Sequence, residues 1–218
     1  MKYKNRNIQI TCDGGAATGK STGAKLIAKK YKLAFLSSGL LYRYASYLIL
    51  KNKPKRQINF LKKKFKNLNY KKLSKINLHS PKISEHSATI AKKLSVRNIL
   101  KKYQKNFVKN NKGCVLEGRD ASTKIIPDSD VKFFFICNLE IAAKRRYHDL
   151  KNYNSRIKLH EVKKALKQRN ILDKKRKHSP LKKHQNAVVV NSGKFGKLAM
   201  LAKMSKYVER VLKTKYGN

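Results

Sequence analysis

Gly14-Gly15-Ala16-Ala17-Thr18-Gly19-Lys20-Ser21 satisfies G-x-x-x-x-G-K-[ST] at every fixed position. Upstream, Ile8-Gln9-Ile10-Thr11-Cys12 alternates like a strand and runs into Asp13-Gly14. Downstream of Lys20, Ala24, Ile27, Ala28 and Tyr31 recur at helical spacing. Strand, glycine-rich turn and helix in that order separate a phosphate-binding loop from a chance match, even in a lysine-rich chain. The glycines let backbone N–H groups converge on one anion, and the helix N-terminus adds a favourable dipole. Lys20 is then placed to reach the β- and γ-phosphates of ATP, and the Ser21 hydroxyl to take a position on Mg²⁺.

Outward from the loop, apolar runs alternate with helical periodicity. Leu33–Leu36, Gly113–Glu117, Lys132–Ile136 and Ala187–Asn191 read as further strands, the third continuously apolar like a buried parallel strand. Helices are expected over Leu40–Leu50, Glu140–Leu150, Lys158–Leu172 and Leu198–Tyr216, with helical periodicity over Ser84–Val108. Residues 51–82, bracketed by Pro54 and Pro81, are dominated by lysine and asparagine and read as one weak helix or a small sub-domain. The alternation predicts a single α/β domain with a mostly parallel sheet.

The chain has 218 residues, of which 55 are Lys or Arg and 11 Asp or Glu, a net charge of +44. Its length and 40% hydrophobic content allow one well-buried core. The charge predicts adhesion to polyanions at low salt. It is spread along the chain together with abundant Asn and Ile, so AT-rich coding explains it without a function; a dedicated polyanion surface is the other reading. Three cysteines (Cys12, Cys114, Cys137) in apolar runs argue for a reducing compartment. No apolar run reaches the ~20 residues of a membrane span. The charged start, residues 1–6, passes straight into a strand, so a cytoplasmic protein without a secretory leader is expected. The cysteines lack metal-site spacing and the six histidines show no H-x-x-x-H or nucleophile–base pattern, which leaves metalloenzyme and hydrolase readings unsupported.

Three clusters bear on a phosphoryl acceptor. They are Ser38-Gly39 with Tyr42-Arg43, Glu117-Gly118-Arg119-Asp120, and Arg169, Asp173 and Arg176 ahead of Pro180-Leu181. Strand C-termini in an α/β sheet share one edge, so Arg43 and Arg119 are expected in the crevice that holds the loop. Two guanidinium forks there suit a phosphate monoester.

With Ile83-Ser84, Ile90-Ala91, Val96-Arg97, Pro127-Asp128 and Ala143–Arg146 added, the chain resembles the bacterial cytidylate kinases, from Ile8 to about Leu212. The resemblance implies a three-layer α/β/α P-loop kinase fold. It implies a five-stranded parallel sheet, a nucleotide-binding region over about 40–110 with the Lys-rich insert 51–82, and a lid over about 147–180. It implies transfer of the ATP γ-phosphoryl to CMP or dCMP with Mg²⁺. By resemblance, ATP is held by Gly14, Gly15, Ala16, Ala17, Thr18, Gly19, Lys20, Ser21 and Thr22, with Arg145 and Arg146 at the start of the lid. Arg43 and Arg119 hold the acceptor phosphate, Ser84, Arg97 and Asp120 read cytosine, and Arg169 and Asp173 lie on the ribose side. Ser38, Tyr42 and Arg176 belong to the same substrate cluster. Lys20 and Arg119 are the catalytic groups, and Ser21 serves the metal with Glu117 or Asp13 acting through water. Uracil would set its O4 acceptor against the Asp120 carboxylate, so UMP is expected to be the poorer substrate.

The chain departs from the family pattern in lacking a proline in the loop, in Glu117 for an aspartate, in Leu94 for a proline, and in Asn170 and Leu172 for charged residues. Other small P-loop kinases, acting on UMP/CMP, AMP or an acceptor such as shikimate, are the nearest alternatives. A basic RNA- or ribosome-associated P-loop protein and a bare NTPase switch are more distant ones. A monomer is expected, for want of a long exposed apolar stripe.

Overall fold

The computed structural model describes residues 7–152 and 155–217. The charged run 1–6 and residues 153–154 of the expected lid lie outside the described residues. Five parallel strands form one sheet: β1 (Gln9–Gly14), β2 (Ala34–Ser37), β3 (Cys114–Gly118), β4 (Val131–Ile136) and β5 (Val188–Asn191), in the order β2-β3-β1-β4-β5. Asp13, near the end of the central strand, sits opposite Gly118 of β3 and Phe134 of β4. The order places β1 where connections diverge to both sides, so the segment after it opens into the crevice at the strand ends.

Alternation along the strands supplies two cores. Ile10, Val115, Phe133 and Phe135 face α1 (Lys20–Tyr31) and α8 (Lys197–Tyr216), which bury Ile27, Met204, Val208 and Leu212 against them. Leu36 and Leu116 face the opposite way, under α2 (Ser38–Asn52), α3 (Gln57–Lys66), α4 (Pro81–Ile90) and α5 (Leu94–Asn110). A third cluster joins α6 (Leu139–Lys151) and α7 (Leu159–Lys175) through Ala143, Leu150, Val162 and Leu166, and reaches Ala16 of the loop. The three-layer architecture is the expected one.

The Lys-rich segment 51–82 resolves into a small helical lobe. Lys53 turns the chain at positive φ after α2. In α3, Leu61 and Phe65, one helical turn apart, are buried, each contributing roughly 1.5–3 kcal/mol. A short turn at Tyr70–Lys75 buries Leu73, and Leu78 follows. Pro81 at the first helical position and the Ser80 hydroxyl, accepting from the Ile83 N–H at 3.4 Å, start α4.

The periodicity over Ser84–Val108 belongs to two helices, not one. Tight bonds from Lys92 to Thr89 and from Lys93 to Ile90 close α4, and Arg97 donates to the Ala91 carbonyl at 3.2 Å across the break. That break lets α5 set out in a new direction, with Arg97 aimed at the sheet edge. Among the described residues, no helix is long and apolar enough to cross a membrane.

Candidate functional site

The loop between β1 and α1 is shaped by backbone constraints. Gly14 has φ 154°, and a Cβ there would stand 2.5 Å from the Phe135 carbonyl oxygen. Gly19, with φ 74°, caps α1 in a left-handed conformation that costs a glycine little. Lys20 opens α1 and is buried. Its ammonium donates to the Gly15 carbonyl at 3.0 Å and lies 3.5 Å from Glu117. Burial, then the neighbouring Arg119 guanidinium, push the Lys20 ammonium down to about 7, with Glu117 pulling the other way. The Ser37 hydroxyl donates to the other Glu117 oxygen at 2.5 Å.

Two clefts open on either side of this loop. The first, about 790 Å³, is lined by Lys20, Ser21, Glu117, Arg43, Arg119 and Arg169, among others. Burial and the neighbouring Arg169, Arg146 and Arg119 lower the Arg43 guanidinium to about 9, and burial with Arg119 lowers Arg169 to about 10. The Arg169 Nε is buried with no hydrogen-bond partner among the described residues. Crowded cations and an unsatisfied donor beside a cleft fit an anionic ligand that would neutralise the first and accept from the second. The second cleft, about 510 Å³, is lined by Thr18, Gly19, Ser21, Thr22, Arg145 and Phe195. Arg145 is fixed there by two bonds of 2.9 Å to Ser192, whose hydroxyl donates to the Thr18 carbonyl at 2.8 Å.

Behind the first cleft runs a chain of ion pairs. Arg97 from α5 donates to Asp120, and Arg176 lies 3.9 Å from Asp120 and 3.3 Å from Asp173. Asp173 accepts from Arg119 at 2.8 Å. Burial would raise the Asp173 carboxyl, but Arg119 and Arg169 outweigh it and hold it below its ordinary value. The half-buried Tyr42 ring lies 5.6 Å from the Arg97 guanidinium, and burial pushes its phenol up to about 12. Ser84 accepts from Arg43 at 2.5 Å and Arg146 at 3.2 Å, while Ser38 donates to Gln104 at 2.8 Å. Arg97, Asp120, Asp173 and Arg176 are thus gathered in one place with Tyr42 beside them, while Ser84 bonds to Arg43 and Arg146 and Ser38 to Gln104.

Arg146, expected over ATP with Arg145, lines the first cleft, which also holds Lys20 and Ser21, and donates to the His79 carbonyl at 3.5 Å. Adjacent residues of α6 thereby serve different clefts. Asp13, the alternative to Glu117 for the metal, accepts from the Ala121 N–H (2.9 Å), the Ser122 N–H (2.7 Å) and the Ser122 hydroxyl (2.6 Å). It fastens the single turn Ala121–Ile125 to β1 and lines neither cleft.

Sequence reasoning missed Ser192 and Phe195, although their place after the last strand follows from the rule that ligands sit at strand C-termini. It also missed Asn170, whose side-chain oxygen accepts from the Ala16 N–H of the loop at 3.0 Å. Tyr70, Lys71 and His79, which bring the Lys-rich segment to the first cleft, gave no signal at all.

A phosphate loop at the switch point of a five-stranded parallel sheet, with a second anion cleft beside it, is the P-loop kinase fold. The profile described as cytidylate kinase matches residues 10–210. A cytidylate kinase of Bartonella tribocorum is 34% identical over 209 residues, covering 94% of this chain and 95% of its own. One from Mesomycoplasma hyopneumoniae is 33% identical and covers 96% of each chain. Among solved structures, an uncharacterized protein from Eubacterium ventriosum aligns with a TM-score of 0.56 at 13% identity, covering 94% of this chain and 99% of its own, a likeness of fold alone. The chain belongs to the cytidylate kinase family.

Proposed function

We propose that this chain transfers the γ-phosphoryl group of ATP to CMP and dCMP, giving ADP and the cytidine diphosphates. The observation that carries the reading is the first cleft, which Lys20 and Ser21 of the loop line together with Glu117, Arg43, Arg119 and Arg169. The loop residues suit a donor phosphate and the arginines an acceptor phosphate. An oxygen of the CMP phosphate attacks the γ-phosphorus, and the bond to the bridging oxygen of ADP breaks. Little covalent chemistry is required of the protein, so positioning and charge neutralisation by Lys20 and the arginines supply most of the acceleration.

The residues Gly14–Thr22 hold the ATP phosphates, with Arg145 and the Phe195 cleft on the adenosine side. Arg43, Arg119 and Arg169 take the CMP phosphate. Asp120 accepts from the cytosine amine while Arg97 and Ser84 donate to the base. Asp173, Arg176, Ser38 and Tyr42 keep those groups in place. Residues 40–110 form the acceptor-binding region and 147–180 the lid. All these groups come from one chain, which suits a monomer, and the buried free cysteines Cys12 and Cys114 suit the cytoplasm.

The donor set for a metal is sparse. Among the described residues, no three His, Cys, Asp or Glu side chains cluster. One hydroxyl (Ser21) and one carboxylate (Glu117) beside a phosphate cleft fit Mg²⁺, which takes most of its ligands from phosphate and water. When bound with ATP it would supply charge neutralisation on the phosphates.

The test is a coupled ADP-release assay with Mg·ATP and CMP, dCMP, UMP or AMP. Release is expected with CMP and dCMP, weaker with UMP, and reduced by roughly 10²–10³-fold in Lys20→Ala. ADP release independent of any nucleotide acceptor would overturn the reading.

A further inference from the structure

The charge of this chain is unevenly partitioned. Residues 51–116 contain 20 Lys and Arg and one acidic residue, Glu85, while the other ten acidic residues all lie elsewhere. A coding bias toward Lys and Asn accounts for the abundance of both. Acids are also absent from residues 14–50, so the acid-poor stretch runs from Gly14 to Leu116 and includes α3 and α5. Within that stretch a groove of about 940 Å³ opens between α3 and α5.

The groove has a distinct floor and lips. Phe65, Leu68, Tyr103 and Phe107 line its floor. Its lips are exposed side chains at helical spacing: Lys62 and Lys66 on α3, and Asn98, Lys102 and Asn106 on α5. The opposite face of α5 carries Arg97 and Gln104 toward Asp120 and Ser38, so the groove is separate from the kinase site.

We infer that this groove binds single-stranded nucleic acid. Lysines on both lips meet a phosphate backbone, the amide side chains reach base edges, and the half-buried rings of Tyr103 and Phe107 offer faces for stacking. From Ser95 to Asn110, α5 runs about 22 Å, long enough for roughly four nucleotides, at the short end of single-strand site sizes. A lipid surface fits less well. Among the described residues, the exposed large apolar side chains include only Leu94 from this stretch, so little is available to enter a bilayer.

The experiment measures anisotropy of fluorescein-labelled 12-mer oligouridylate and oligothymidylate with the full chain, against phosphatidylglycerol vesicles. Three variants are compared: Lys62→Glu/Lys66→Glu/Lys102→Glu in the groove, a charge-matched Lys182→Glu/Lys183→Glu/Lys213→Glu on the kinase body, and the uncharged Asn98→Ala/Asn106→Ala. Kinase activity and melting temperature confirm folding of each. The groove triple variant is expected to weaken oligonucleotide binding at least about tenfold and to flatten the log–log salt slope by ~2, at about 0.7 per lost phosphate contact. The body triple variant should change affinity less than about threefold. The asparagine pair should weaken binding with the salt slope unchanged, an effect that bulk charge cannot produce. A preference for the RNA oligomer would identify 2′-hydroxyl contacts, and equal affinities would identify phosphate and base alone; both support the site. Equal losses in the two triple variants, no loss in the asparagine pair, or groove-dependent capture of vesicles in place of oligonucleotides would overturn it.

Discussion

On its donor side the site is a run of eight consecutive residues whose backbone is shaped to meet phosphate. On its acceptor side it is a set of side chains brought from α2, α4, α5, the end of β3 and the end of α7. The donor side holds its form through backbone dihedrals and close approach, as at Gly14 and Gly19. The acceptor side holds its form through the chain of pairs Arg97–Asp120–Arg176–Asp173–Arg119. A site made of backbone tolerates changes in most side chains but not an added Cβ at its tightest point. A site made of paired charges tolerates little change in polar chemistry.

The sharpest break of that contrast is Gly14→Ala. The new methyl group meets the Phe135 carbonyl oxygen at 2.5 Å, with φ at 154°. Strain and overlap together are expected to cost ~3 kcal/mol, read as a lower urea midpoint with an unchanged m-value. Ala17→Ser in the same loop, which keeps the backbone path, should change stability by less than about 0.5 kcal/mol. Equal losses in the two would mean that the loop is not held by its dihedrals.

Asp120→Asn tests the other side. Asparagine keeps an acceptor for Arg97 and can offer N–H to a base oxygen. The CMP-over-UMP ratio of kcat/KM is expected to fall about 10–100-fold, in line with ~1–3 kcal/mol for an unsatisfied buried polar group. An unchanged ratio with reduced stability would make Asp120 a partner of Arg97 and nothing more.

The same division governs what could be read from sequence. The loop, all five strands and most helices were legible because each rests on local signals: alternation, helical spacing, glycine at a turn. The helix break at residues 91–93 was not, because it is made by short-range turns and by Arg97 reaching back to the Ala91 carbonyl. The clusters containing Arg43, Arg119 and Arg169 were visible as motifs, and their convergence followed from the strand-end rule. The direction of each side chain did not: Arg146 turns to the first cleft while Arg145 turns to the second, and Asp13 turns to Ala121 and Ser122. Tyr70 and His79 reach the first cleft through the packing of a segment whose composition resembles solvated surface.

Lys20 links the two sides through Glu117 and Arg119, and gives a smaller, pH-dependent effect. With its free-state pKa near 7 and an ordinary lysine near 10.5, the unfolded chain holds more protons than the folded one between those values. Stability from this group therefore rises with pH through that window. ATP binding favours the charged ammonium and takes up a proton above pH 7. ATP affinity is expected to fall about tenfold between pH 7 and 8.5 through this group. Titration calorimetry in buffers of different ionisation enthalpy reads the proton directly, and Lys20→Met should abolish its uptake. Uptake that persists in Lys20→Met would assign the proton to another group.

Asn170 is the point where the acceptor-side helix α7 touches the donor loop. Its carboxamide oxygen stands 3.0 Å from the Ala16 N–H and occupies a donor that a phosphate oxygen would otherwise take. A phosphate oxygen that took this N–H would displace the contact and remove one tie between α7 and the loop. Asn170→Ala removes one neutral hydrogen bond, so stability should fall by about 1 kcal/mol, while ATP affinity improves up to about fivefold because the competing acceptor is gone. The two changes should run in opposite directions, which a simple packing defect does not produce. Equilibrium ATP binding beside a thermal melt of the same variant reads both. A parallel loss of stability and affinity would mean that Asn170 supports the loop in its binding-competent form instead of competing with the ligand for it.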